Sequence, residues 1–184
     1  MKFYKVLNKQ IYTSDNYSIV PIRFQDKFKI MKWRNEQIYH LRQSKPLSKK
    51  DQENYFSNTI NSLFDQKQPA QLLFSFLKSN ICIGYGGLVN INWNDKNAEI
   101  SFIMNTELEE KEFKLNWLIF LKLIEDLSFN EIMLNKVYVY AFDLRPHLYR
   151  VLELGNYFLD ARLKNHCIHE NKFIDVVIYS KIKQ

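Results

Sequence analysis

Glycine and proline are scarce, with 4 of each in 184 residues. That excludes collagen-like, loop-rich and low-complexity architectures. The 2 cysteines, Cys82 and Cys167, are too few for a disulfide framework. Both lie in apolar, strand-like runs, where cysteine behaves as a small core residue. No apolar run reaches the roughly eighteen residues that a membrane helix needs. The N-terminal MKFYKVLNKQ has no apolar core of the signal-peptide kind. The expectation is a soluble cytoplasmic protein with no membrane partner. A Lys/Arg-rich block is also missing. The formal net charge is +6, but its bases are dispersed among acids. Nucleic acid is therefore not the expected partner, and a small anion such as a nucleotide or a phosphate-bearing cofactor is preferred.

Several chemical signatures are absent as well. There is no GxSxG, no P-loop and no Rossmann fingerprint, and the run Gly84-Tyr85-Gly86-Gly87 lies mid-strand without a following helix. His166, Cys167 and His169 have no second ligand pair at a zinc spacing, so no metal is expected. No repeat at a solenoid period occurs.

What is present reads as one globular domain, 1–184, with 46% hydrophobic and 25% charged residues. YSIVPIRF (17–24) alternates apolar and polar residues and reads as a strand. A helix over 25–37 follows. Ser48 with Asp51 three residues later predicts a capped helix start. QLLFSFLK (71–78), ICIGYGGLVNI (81–91) and AEISFIM (98–104) read as consecutive strands. The segment 110–129 reads as an apolar helix, 135–142 as a strand, and RPHLYRVLELGN as a short helix opened by Pro146 and capped near Gly155. Two strands close the chain. Because strands run consecutively in the middle, the fold class is α+β, a mixed and mostly antiparallel central sheet flanked by helices.

Three stretches carry a resemblance to a known family. CIGYGGLVNINWNDKNAEISFIM (82–104) resembles the third and fourth strands of the GNAT superfamily of acyl-CoA-dependent N-acetyltransferases. VLELGNYFLDARLKNHCIHENKFIDVVIYSKI (151–182) resembles its C-terminal end. MKWRNEQ (31–37) resembles the WRN helix of members that acetylate amino sugars on nucleotide carriers. The resemblance covers about residues 17 to 182. It leans toward the branch of ribosomal-protein acetyltransferases and of amino-sugar-nucleotide acetyltransferases in bacterial surface-glycan synthesis.

The resemblance implies acetyl-CoA as co-substrate and direct transfer to a primary amine in a ternary complex. A small acceptor is expected, with an amino sugar on a nucleotide first and a protein N-terminus second. A GNAT fold that binds without catalysis is the alternative. By resemblance, the backbone of Ile100, Phe102, Ile103 and Met104 pairs with the pantetheine arm, and Glu99 stands where some members place a base. Leu152 falls at the family's acid tyrosine and cannot donate a proton. Tyr149, one helical turn earlier, is the substitute, ahead of His147. Arg145 stands in place of an asparagine that holds the cofactor and could pair with phosphate.

The family's diphosphate turn is glycine-rich. Here it is expected over Glu107, Glu109, Glu110, Lys111 and Glu112, with Lys111 or Lys114 offsetting the phosphate charge. Trp33, Arg34, Asn35 and Arg42, with Tyr39 and Gln43 nearby, offer stacking and anion-binding groups on the acceptor side. The bland alternative makes Trp33 core and pairs Arg34 with Glu36 or Asp51. Neither cysteine has a base partner in view, which disfavours an acyl-enzyme. A monomer or a homodimer is compatible with the aromatic content.

Overall fold

Eight strands form one sheet in the computed structural model, which describes residues 2–184. They are β1 (Tyr12–Ser14), β2 (Tyr17–Pro21), β3 (Leu72–Lys78), β4 (Ile81–Asn92), β5 (Asn97–Met104), β6 (Lys136–Phe142), β7 (Phe158–His169) and β8 (Lys172–Ile182). Their spatial order is β1-β2-β3-β4-β5-β6-β8-β7. Neighbours are antiparallel except β5 and β6, which run parallel. A parallel pair needs a crossover, and α3 (Thr106–Glu125) supplies it. The remaining helices are α1 (Lys27–Glu36), α2 (Lys49–Asn54) and α4 (Pro146–Leu154). Helix α2 runs on through a π-helical segment, Tyr55–Ile60, into a last turn at Asn61–Leu63. No helix among the described residues is long and apolar enough to cross a membrane.

The parallel pairing is short. Only Asn97, Ala98 and Glu99 of β5 pair with Lys136, Val137 and Tyr138 of β6. Beyond that point β5 stays on β4 as far as Met104, and β6 stays on β8 as far as Phe142. The two strands therefore part, and the sheet opens along its middle.

Side-chain alternation decides what each face of β5 meets. Phe102 points to the α3 face, where it stacks on Phe120 at 4.0 Å between ring centroids and meets Trp117 edge-on at 5.0 Å. Gly86, its partner on β4, leaves room for that packing, since a Cβ there would lie 2.9 Å from Phe120. Glu99, Ser101 and Ile103 alternate with it onto the opposite face, beside Val89, Gly87 and Tyr85. Gly87 has φ +152, and a Cβ on it would come within 1.9 Å of the Leu72 carbonyl oxygen. Only glycine holds that backbone.

The structure shifts several expected boundaries. The short edge strand β1 has too few residues to show alternation. The strand predicted over 17–24 ends at Pro21, and a 3-10 turn, Phe24–Asp26, precedes α1. Ser48 and Asp51 form the capping box that their spacing predicts. The largest difference is at α3. It starts at Thr106, directly after β5, and not near residue 110. The Asn105 side chain accepts from the Glu107 N–H, and Glu107 and Glu109 in the first turn favour the positive end of the helix dipole. The turn expected over 107–112 is thus the opening of a helix.

Candidate active site

Where β5 and β6 part, a cleft of about 230 Å³ opens. From the α3 side it is lined by Phe102, Trp117 and Leu148, and from the opposite side by Arg34, Arg42, Val89, Glu99 and Ser101. Its lining thus comes from both faces of the sheet.

Glu99 sits at the parting point with its side chain 5% exposed. One carboxylate oxygen accepts from Arg42, and the other accepts from the Asn90 side-chain amide at 2.9 Å. Asn90 holds a left-handed φ of 51, which asparagine tolerates. The Arg42 guanidinium lies 4.7 Å from the Tyr140 ring centroid. The Tyr140 hydroxyl contacts Cys167 Sγ at 3.7 Å. Burial, with Cys167 beside it, pushes the Tyr140 phenol up to about 12. It is a protonated donor lining the cleft.

Arg34 forms the other end of the wall. Its Nε donates to Gln43 Oε1 at 2.9 Å and an Nη donates to the Tyr85 hydroxyl at 2.5 Å. No carboxylate pairs with it among the described residues. The expected alternative of Glu36 or Asp51 does not occur: Asp51 caps α2, and Glu36 pairs with Lys32. Tyr85 beside it favours the charged form against the opposing effect of burial.

Arg145 is the best-buried cation. It donates to His40 Nε2 at 2.6 Å, approaches Glu109 Oε1 at 3.8 Å and lies over the Phe113 ring. Arginine cannot accept, so His40 Nε2 must be the acceptor and the imidazole is neutral. Burial and then Arg145 hold His40 down to about 3. Burial also raises the Glu109 carboxyl, which Arg145 opposes. Gln37, buried, donates to the Met104 carbonyl at 2.8 Å and to Thr106 Oγ1 at 3.1 Å, fixing the junction between β5 and α3.

These contacts revise several sequence expectations. Tyr149 does not line the cleft; its hydroxyl donates to Asp143 Oδ1 at 2.7 Å, and its ring stacks on Tyr179. Burial, with Asp143 adding to it, raises that phenol far above its ordinary value. Trp33 is core. Asn35 clamps the backbone of Leu47 through both its amide nitrogen and its oxygen. Arg145 is spent on His40 and Glu109 and is not presented to a surface phosphate. Glu99, Arg34, Arg42, Ile100 and Phe102 do meet in the cleft, while Ile103 and Met104 lie buried along the continuing strand. Gln37, His40, Tyr85 and Tyr140 were not expected. Tyr85 alone carried a local signal, the glycines on either side of it.

The co-substrate that the resemblance implies is matched unequally. Ile100–Phe102 leave one strand edge without a strand partner against the cleft, which suits the amide-bearing pantetheine arm. The diphosphate finds no glycine turn. The Glu107 and Leu108 N–H groups are already held by Asn105, and Glu107, Glu109, Glu110 and Glu112 surround them. Lys111, Lys114 and Arg150 are the cations that line the adjoining groove between α3 and α4, with His147 beside them. No cluster of three or more metal-ligating side chains occurs among the described residues.

Residues 19–178 match the family model described as an acetyltransferase (GNAT) domain. Among solved structures, spermidine N-acetyltransferase from Vibrio cholerae in complex with CoA and spermine is similar at 17% identity, with a TM-score of 0.80. The match covers 92% of this chain and 97% of that one. A GNAT-family acetyltransferase from Bacillus anthracis is similar at 15% identity and a TM-score of 0.74, covering 94% of this chain and 98% of that one. At such identities the structures share the fold, and the family match extends over most of the chain. The chain belongs to the GNAT family of acetyl-CoA-dependent N-acetyltransferases.

Proposed function

We propose that the acceptor is a small primary amine that carries negative charge some distance from the nitrogen, and that an amino sugar on a nucleotide carrier suits the cleft best. The observation that carries this is Arg34, a half-buried guanidinium in the cleft wall with no carboxylate partner among the described residues. Arg42 lines the same cleft, and Glu99, the carboxylate in its lining, is already neutralised by Arg42. Such a wall repels a polycation of the spermine kind and attracts phosphate.

Distance sharpens the class. Glu99 and Ile103, the strand neighbour of Tyr85, stand four residues apart on one face of β5, which is about 13 Å of strand. An α-amino acid holds its amine and carboxylate too close together to use both ends. A sugar amine and a phosphate on the far side of the ring span more of that gap.

Acetyl-CoA supplies the activated acyl group when bound. Glu99 takes the proton that the amine must lose, and Asn90 and Arg42 fix the carboxylate that receives it. Tyr140 gives a proton to the departing sulfur, the role that the sequence assigned to Tyr149. Arg34 orients the acceptor by its anion. Steady-state acetylation tests the reading. Turnover of an amino-sugar nucleotide well above that of spermidine is the expected result. Efficient turnover of spermidine with none of the anionic acceptor overturns it.

A further inference from the structure

An internal anion already stands at the end of α3 where the resemblance places the diphosphate. Thr106, the first residue of the helix, donates its hydroxyl to the Glu36 carboxylate at 2.7 Å. The buried Gln37 amide donates to the same hydroxyl and to the Met104 carbonyl. Glu36 and Glu107 share Lys32, at 3.7 and 3.3 Å. The last turn of α1 is thus tied to the first turn of α3. A carboxylate in that place does for the helix dipole what a phosphate would do.

The backbone at this junction is occupied as well. The Asn105 N–H donates to the Ile83 carbonyl at 2.7 Å, and the Asn105 carbonyl accepts from the Leu108 N–H at 3.0 Å. The Asn105 side chain holds the Glu107 N–H. Neighbouring cations are committed: Lys78 pairs with Glu112 at 3.0 Å, and Arg145 approaches Glu109. Lys111, Lys114 and Arg150 are exposed and share their groove with Glu109 and Glu110. Salt screens exposed cations of this kind, and each contributes little. The edge of Ile100–Phe102, by contrast, faces the cleft ready for amide groups. The arm of the donor meets a built surface, and its diphosphate does not.

We infer that the site takes its acyl donor by the pantetheine arm and leaves the nucleotide unread, so that acyl thioesters of 4′-phosphopantetheine serve as donors on a par with acyl-CoA. The reacting atoms are the same in both. The C–S bond of the thioester breaks, a C–N bond to the amine forms, and the amine proton ends on the departing thiol. Remote parts of a substrate raise the rate only where the enzyme binds them. This inference concerns the donor and is independent of the acceptor class.

Binding tests it without an acceptor. Calorimetry with CoA and with 4′-phosphopantetheine should give affinities within about tenfold of each other. Adenosine 3′,5′-bisphosphate, the tail without the arm, should not compete with CoA. A wider gap in favour of CoA overturns the inference, and so does competition by the bisphosphate. Failure of phosphopantetheine to bind overturns it too. Glu36→Gln removes the internal anion and keeps an acceptor for Thr106. It should tighten CoA by about threefold and leave pantetheine, which has no phosphate, unchanged. An equal change for both ligands, or none for either, contradicts the part given to Glu36.

Discussion

His40 and Arg145 join two segments that lie far apart in sequence, and their bond depends on the imidazole remaining neutral. Its pKa is held near about 3 in the folded protein, against an ordinary 6.5. Between those values the unfolded chain binds a proton that the folded chain does not, so stability falls as the pH drops through that window. The loss from pH 7 to pH 5 is about 2 kcal/mol. His40→Gln keeps an acceptor for Arg145 and does not titrate. Chemical denaturation of this variant should show a shallower loss between pH 7 and 5 than the wild type; an identical slope would remove His40 from the account. Glu99 offers a second test at the same scale. Glu99→Gln should lower kcat/KM at neutral pH by about 10² or more if the carboxylate takes the proton. Tyr149→Phe should leave the rate within a few-fold, and a comparable collapse there would restore Tyr149 as the acid. Of the residues that reached the cleft as expected, Glu99 and Arg34 sit in motifs whose place in the fold was readable from order along the chain, and Arg42 follows the second of them by eight residues. Tyr140 was not readable, because its role depends on Arg42 and Cys167, which come from distant segments. Trp33 and Asn35 show the reverse: residue types suited to binding were taken up by the core and by a backbone clamp.

At the scale of elements, the start of α3 matters most. Its apolar spacing was legible from the sequence, but its first residue was not, because β5 and the helix share a boundary with only Asn105 between them. The same four glutamates that extend the helix place negative charge where diphosphate should approach. Glu110→Gln together with Glu112→Gln should therefore tighten CoA several-fold, a gain of about 1 kcal/mol. It should also cost a few tenths of a kcal/mol through loss of the ion pair between Glu112 and Lys78. Calorimetry and a urea titration on the same variant read the two opposed effects, and tighter unfolding with weaker CoA would contradict both. Gly87 tests the sheet itself. Gly87→Ala forces a side chain into the Leu72 carbonyl at a backbone angle reserved for glycine. It should destabilise the protein by about 1–3 kcal/mol or more. The glycine cluster was legible as a close backbone approach. That the approach separates the α3 side from the acceptor side was not, since this depends on strand register.

Over the whole molecule, the sheet order makes the cleft. The β5–β6 pair is the one parallel contact, it lasts for only three residues on each strand, and each strand then follows its other neighbour. The order of helices and strands was legible because period-two and helical spacing alternate cleanly along the chain. The parting of the strands was not, because nothing local to either strand encodes it. That opening is lined by Phe102, Trp117 and Leu148 from the α3 side and by Arg34 and Arg42 from the other, which is the side proposed for the acceptor. The central claim is that this cationic wall, and Arg34 above all, selects an anionic amine. The most direct measurement is kcat/KM for an amino-sugar nucleotide and for spermidine, in the wild type and in Arg34→Gln. The wild type should prefer the anionic acceptor strongly, and Arg34→Gln should reduce that preference by about 10-fold or more through loss of one charge-assisted contact. A preference for spermidine in the wild type, or one that Arg34→Gln leaves untouched, would contradict the account.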